Sequence, residues 1–201
     1  MTKEEKYEKY KLIAKKGDIG LWHGHALISK IIQVSDRAKN EDTNKYEGAY
    51  HNHASINTHI LPRIEILDAN ADGVNPHYFG SELNYYKDFD ILRFKNKTDA
   101  EIQEAIIKAM DRSIRGIKYD FFALPRILWN RNAARWFKWL GIKERPYKKN
   151  NKDYCSEFVR SVSLLLGVKC YDTGKDITPE DLHRLADHAE IELITDFKCD
   201  K

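Results

Sequence analysis

Asp153-Tyr154-Cys155-Ser156-Glu157-Phe158-Val159 is the stretch whose reading decides the fold of this 201-residue chain. It runs on into Val162, Leu165 and Leu166 at helical spacing and stops at Gly167, which predicts an amphipathic helix with a cysteine in its first turn. Amide N–H groups without helical partners and the positive end of the helix dipole lie at such a turn. That setting favours a thiolate and can hold a developing oxyanion. A cysteine buried as a small hydrophobe is the plainer alternative on residue type alone.

Upstream, His53-Ala54-Ser55-Ile56-Asn57-Thr58-His59-Ile60 alternates, Leu61-Pro62-Arg63 breaks the pattern, and Ile64-Glu65-Ile66-Leu67-Asp68-Ala69 resumes it. Two such runs predict an antiparallel hairpin. With Leu61 and Pro62 in the turn, Ser55 stands opposite Asp68 and His53 opposite Asn70, which leaves Asp68 diagonal to His53 on one face. A histidine and a carboxylate are thereby expected to meet. His51 and His59 are rivals of His53 for that role, and Asn70 lies close enough to substitute for Asp68.

The remaining pattern is that of one mixed α+β domain spanning 1–201. Residues 3–16 mix Lys, Glu and Tyr and predict a solvated helix packed lightly on the body, so 1–16 reads as an N-terminal helical extension. Phe89 to Phe94 is a strand candidate; Thr98-Asp99-Ala100-Glu101 is a capping box opening a helix with Ile102, Ala105, Ile106, Ala109 and Met110 inward. Thr178-Pro179-Glu180-Asp181-Leu182 is a capped helix start with Pro at the first position, and Ile191 to Phe197 a last strand.

Composition narrows the function classes. A net charge of +3 is too mild to mark a nucleic-acid binder, and none is expected as a partner. Mean hydropathy of −0.65 and the lack of a long apolar run exclude a membrane-spanning helix. The first ten residues lack the apolar core of a secretory signal, so a cytoplasmic protein is expected, reaching outside targets only through lysis, a phage particle or a secretion device. Three cysteines, Cys155, Cys170 and Cys199, form no C-x-x-C pair and predict reduced thiols. His23-Gly24-His25 and His51-Asn52-His53 invite a metal, but no Cys or carboxylate stands at zinc-site spacing, and neither metal nor cofactor is expected.

In chain order, Gly17-Asp18-Ile19, His53 opening a strand, Asp68-Ala69 ending the next, Tyr119-Asp120-Phe121, Tyr154-Cys155-Ser156-Glu157-Phe158 and Thr178-Pro179-Glu180-Asp181-Leu182 resemble the permuted papain-like branch of the NlpC-type cysteine hydrolases, the YiiX/YaeF-like amidases. Ordinary papain-like enzymes place the cysteine helix before the histidine strand, and the permuted branch reverses that order, as here. The resemblance implies a circularly permuted papain-like fold with an antiparallel sheet against the nucleophile helix. It also implies a cysteine hydrolase of an amide or acyl (thio)ester bond, with Cys155 as nucleophile, His53 as general base and acid, and Asp68 orienting the imidazole. Peptides, peptidoglycan fragments and acyl-lipids are the implied substrate classes.

Between Leu124 and Lys152 nine basic residues face the single acid Glu144. This basic, aromatic helical insert, 121–152, carries Arg131, Arg135 and Lys138 on one helical stripe, and Trp129, Ala133, Trp136, Phe137 and Leu140 on another. The aromatic stripe reads first as core under a cationic solvated face. Set outward instead, Arg131, Arg135, Lys138 and Trp136 would bind an anionic surface, as in a peripheral membrane contact. That face is the basis of the alternative function, a non-catalytic binding module of the same fold for a membrane, a nucleic acid or a protein partner.

Overall fold

The computed structural model describes residues 2–24, 38–39, 46–47, 50–59, 62–70, 73–114, 118–119, 129–130, 133, 136–141, 152–174, 176–186 and 189–194. Among these the strands are β1 (Ile19–Gly24), β2 (Ala38–Lys39), β3 (Tyr46–Glu47), β4 (His53–His59), β5 (Glu65–Asn70), β6 (Gly73–Tyr78), β7 (Tyr86–Phe94), β8 (Lys118–Tyr119), β9 (Lys152–Asp153) and β10 (Ile191–Leu193). The helices are α1 (Lys3–Lys11), α2 (Phe79–Glu82), α3 (Asp99–Ile114), α4 (Cys155–Leu165) and α5 (Pro179–Arg184). The architecture is mixed α+β around one six-stranded sheet of order β10-β7-β1-β4-β5-β6, in which every neighbouring pair is antiparallel.

The expected hairpin forms with the expected register. Ile56 pairs with Leu67 and Asn57 with Ile66, and a bulge before His59 shifts the pairing to Glu65. Both faces of the strands are covered. Ala54, Ile56, Leu67 and Ala69 join Phe158, Val159 and Val162 of α4 and Ile102 and Ile106 of α3 in one core. Side chains such as Phe158 and Val162, fully buried there, each stabilise the packing by about 1.5–3 kcal/mol.

On the opposite face Trp22, Ile66, Phe89 and Ile91 pack with Tyr7 and Tyr10 of α1 and Phe79 of α2. The lightly packed extension is therefore corrected: α1 seals a second core. The buried Lys6 pairs with Asp88, and the Tyr10 hydroxyl donates to Asp18 at 2.9 Å. Asp18, fully buried, also takes Arg93 Nε at 2.7 Å and Nη2 at 2.8 Å, so the Gly17-Asp18-Ile19 motif ties α1 to β1 and β7. Gly17 turns the chain into β1 at φ +82°, a conformation that suits glycine.

The capping boxes at Thr98–Glu101 and Thr178–Asp181 are present. The polar run 35–48, expected as loop, contains the short β2 and β3 pairing. Residues 195–197 of the expected last strand lie outside the described residues, as do Ile28, Ile31 and Ile32 of the apolar run after β1.

Candidate active site

Cys155 is the first residue of α4, His53 the first of β4 and Tyr86 the first of β7, so the sheet and the helix present three reactive side chains from element starts. No side chain caps α4, and its first-turn amides are not taken up by a cap. The flanking residues anchor that start. Ser156 Oγ donates to the Ile177 carbonyl at 2.8 Å, and the Tyr154 hydroxyl accepts the Ile177 amide at 3.2 Å.

His53 Nε2 lies 2.6 Å from Asp68 Oδ2, so the diagonal meeting expected from the hairpin forms. Asn70, the substitute, ends β5 opposite Gly73. With Nε2 engaged by the carboxylate, Nδ1 is the nitrogen left for the Cys155 thiol, which lies near enough to be among the influences that raise the His53 pKa. Tyr86 stacks on the imidazole at 5.3 Å between centroids, with 5° between planes, and fixes the ring plane. His77 Nε2 approaches the other Asp68 oxygen at 3.2 Å. Cys155, His53 and Asp68 are thus brought together, while His59 lies exposed at the opposite end of β4.

Burial alone would push the His53 pKa down; charge on Tyr86 and on Cys155, with hydrogen bonds to Asp68 and Cys155, raise it well above its ordinary value. The Tyr86 phenol is itself pushed up to about 12, chiefly by burial, so it is neutral at ordinary pH and the hydrogen bond to Asp68 is the influence that acts on His53 there. Glu82, buried at the end of α2, has its pKa raised by burial and by the charge of Asp68.

A second cluster sits beside the first. His51 Nε2 donates to Asp90 Oδ2 at 2.8 Å, and His51 Nδ1 meets Glu180 Oε2 at 3.0 Å. Glu180 Oε2 also accepts the amides of Tyr50 at 2.9 Å and His51 at 3.0 Å, so the Thr178–Leu182 motif holds the approach to β4. Burial works against charge on His51, but the two carboxylates raise its pKa; burial is likewise outweighed at Glu180, which His51 draws down to about 2. His183, on the same short helix, packs its ring 4.9 Å from that of His51.

No family model and no curated protein matches the sequence. The crystal structure of the metalloprotein YiiX from Escherichia coli O157:H7 aligns with 90% of this chain and 96% of its own, at a TM-score of 0.54 and 15% sequence identity. The fold resembles that of YiiX.

Several residues of this site escape sequence reasoning. Tyr86 is missed because only the β7–β1 pairing carries it to His53, and Glu82 because its helix has four residues. The Glu180-x-x-His183 spacing, two ligand types one helical turn apart, was a legible signal. The carboxylate that no local spacing offered to His51 comes from 129 residues away. In the basic insert, Arg131 and Arg135 lie outside the described residues, and Lys138 belongs to a 3-10 turn, Lys138–Leu140. Trp136 is 64% exposed and Trp129 65%, which corrects the core-packed reading of the aromatic stripe. Among the described residues no helix is long and apolar enough to cross a membrane.

Proposed function

We propose that the chain is a cysteine hydrolase of the permuted papain-like, NlpC-type kind, cleaving an amide or acyl (thio)ester bond. The observation that carries this reading is the position of His53, gripped at Nε2 by Asp68 and close enough to Cys155 for that group to raise its proton affinity. The order of a histidine strand before the cysteine helix, on one antiparallel sheet, supports the permuted arrangement.

His53 takes the thiol proton, and the thiolate attacks the substrate carbonyl carbon. First-turn amides of α4 stabilise the oxyanion, and the imidazolium protonates the leaving amine, alcohol or thiol as the acyl-thioester forms. Water, deprotonated by His53, then hydrolyses that thioester and returns the thiol. Asp68 keeps the Nε2 proton in place throughout, and the Tyr86 ring prevents the imidazole from swinging out of plane. The chain's own residues complete this cycle without a cofactor.

Cell-wall peptides and lipid-linked acyl groups are the two substrate classes. The exposed Trp129, Trp136 and Trp139, set in a strongly basic segment, favour a substrate held at an anionic bilayer surface. The test sets peptidoglycan fragments and acyl-lipid vesicles side by side, with intact-mass detection of an acyl adduct on Cys155. Turnover of either class that disappears in Cys155→Ala and His53→Ala supports the reading. No turnover, with slow and equal alkylation of all three cysteines, leaves a binding module, and salt-sensitive sedimentation with the vesicles then identifies its partner.

A further inference from the structure

His51, Glu180 and His183 lie outside the hydrolytic machinery, and ion pairing accounts for only two of them. Among the described residues the His183 ring makes no hydrogen bond, although it stands against a buried imidazole and carboxylate. We infer that His51 Nδ1, one carboxylate oxygen of Glu180 and a ring nitrogen of His183 form a binding site for a first-row divalent cation with the preferences of zinc.

The donor atoms of the three side chains all lie within 4.8 Å of one another. Two ligands bonded to tetrahedral zinc at its usual 2.0–2.1 Å stand about 3.3 Å apart. The 3.0 Å between His51 Nδ1 and Glu180 Oε2 is close to that, so a cation needs little more than a small rotation of the two side chains. The surroundings are those of a metal-binding histidine. Asp90 accepts the Nε2–H of His51, so a cation that displaces the Nδ1 proton shared with Glu180 meets a lone pair directed at Glu180 and His183, and such carboxylate–histidine pairs orient ligands in metal centres.

Glu180 is fixed just as firmly. Two backbone amides and Arg184 Nε, 3.2 Å from Oε1, hold its carboxylate. The capping box and Pro179 fix the short helix that carries Glu180 and His183 together. Two imidazoles and one carboxylate are too few oxygens for calcium. They match zinc or cobalt with a fourth position left for water. His51 and Glu180 are buried and His183 only partly, so a cation enters from the His183 side. Bound there, it joins α5 to His51 at the approach to β4, two residues before His53.

The 201-residue chain, stripped with EDTA and titrated with Co²⁺ and Zn²⁺, tests this directly. We expect one cation per chain, a cobalt spectrum of tetrahedral intensity without thiolate-to-metal charge transfer, and a higher Tm with zinc. Cys155→Ala keeps all three, which separates this site from adventitious capture by Cys155 and His53. His183→Ala loses tight binding, and Asp90→Asn weakens it by about 10–100-fold. Absence of stoichiometric binding in the wild type overturns the inference, and so does a thiolate charge-transfer band or loss of the cation in Cys155→Ala. Because the spectrum is read on the wild type, the test remains decisive even if a variant fails to fold.

Discussion

His51 precedes strand β4 and His53 opens it, yet the two imidazoles have different surroundings, and the difference lies in what their second nitrogens meet. Both are raised in pKa against the pull of burial. His51 ends on a carboxylate at each nitrogen, so its proton has nowhere to go while Asp90 and Glu180 stay ionised. His53 ends on one carboxylate at Nε2 and has Cys155 nearby, a group that can both give and receive a proton. A raised histidine pKa therefore does not by itself mark a catalyst. The chemistry of the second partner does.

The most severe way to break the comparison is to remove the thiol or the shuttle. Cys155→Ala and His53→Ala are expected to lower kcat/KM on a responsive acyl substrate by about 10³-fold or more, with the fold retained. Alkylation gives a second reading: near pH 6.5 an ordinary thiol is only about 1% ionised, so Cys155 should react with iodoacetamide about 100 times faster than Cys170. His53→Ala should erase that difference. Equal rates in the wild type would put Cys155 with the buried structural cysteines. Asp68→Asn is expected to cost less, about 10²-fold, because it keeps the hydrogen-bond geometry while removing the charge that favours the imidazolium. Its effect should fall on kcat more than on KM.

What the sequence discloses follows the range of the interaction. Hairpin register, capping boxes and the Cys155 helix are set by neighbours a few residues apart, and they are legible: Ile56 opposite Leu67, Thr98 with Glu101, Thr178 with Asp181. The hairpin also brings His53 to Asp68, so the core of the candidate site can be read. The His51 cluster cannot, since its carboxylates arrive from β7 and α5 through the packing of the whole sheet. The N-terminal helix misleads for a related reason. Its inward residues are Lys6, Tyr7 and Tyr10, which look solvated until Asp88 of β7 meets Lys6 and Asp18, at the entry to β1, meets Tyr10. The exposed tryptophans mislead in the other direction, because an aromatic stripe has the same spacing whether it faces core or solvent.

The comparison sharpens when His51 is changed and His53 kept. In metal-free buffer, His51→Gln should destabilise the fold by about 2 kcal/mol while lowering kcat/KM less than tenfold. The sign of its pH dependence follows from the shifts. The folded pKa of His51 is raised, so its contribution is fully present below the unfolded value of 6.5 and fades as pH rises through the higher folded value. Glu180, held at about 2, adds stability that is present above its ordinary 4.5 and is lost as pH falls towards 2. The cost of His51→Gln in urea unfolding should thus be greatest between those two ordinary values and smaller in alkaline buffer. A cost that stays flat with pH would mean that packing, not the ion pairs, holds α5 to the strand.

The smallest expected effect tests the acid side of His53. Glu82 is buried near Asp68, and its attraction to His53 is one of the influences that lower its own pKa. By reciprocity an ionised Glu82 favours the imidazolium, so Glu82→Gln should move the alkaline limb of the kcat/KM profile to lower pH, by about half a unit. Tyr86→Phe is the matching control. It keeps the ring stacked on His53 and removes only a hydroxyl that stays neutral until about pH 12, so the limb should not move. If Tyr86→Phe shifts the limb and Glu82→Gln leaves it in place, the phenol rather than the second carboxylate sets the proton affinity of His53. The contrast with His51 would then narrow to one carboxylate against two.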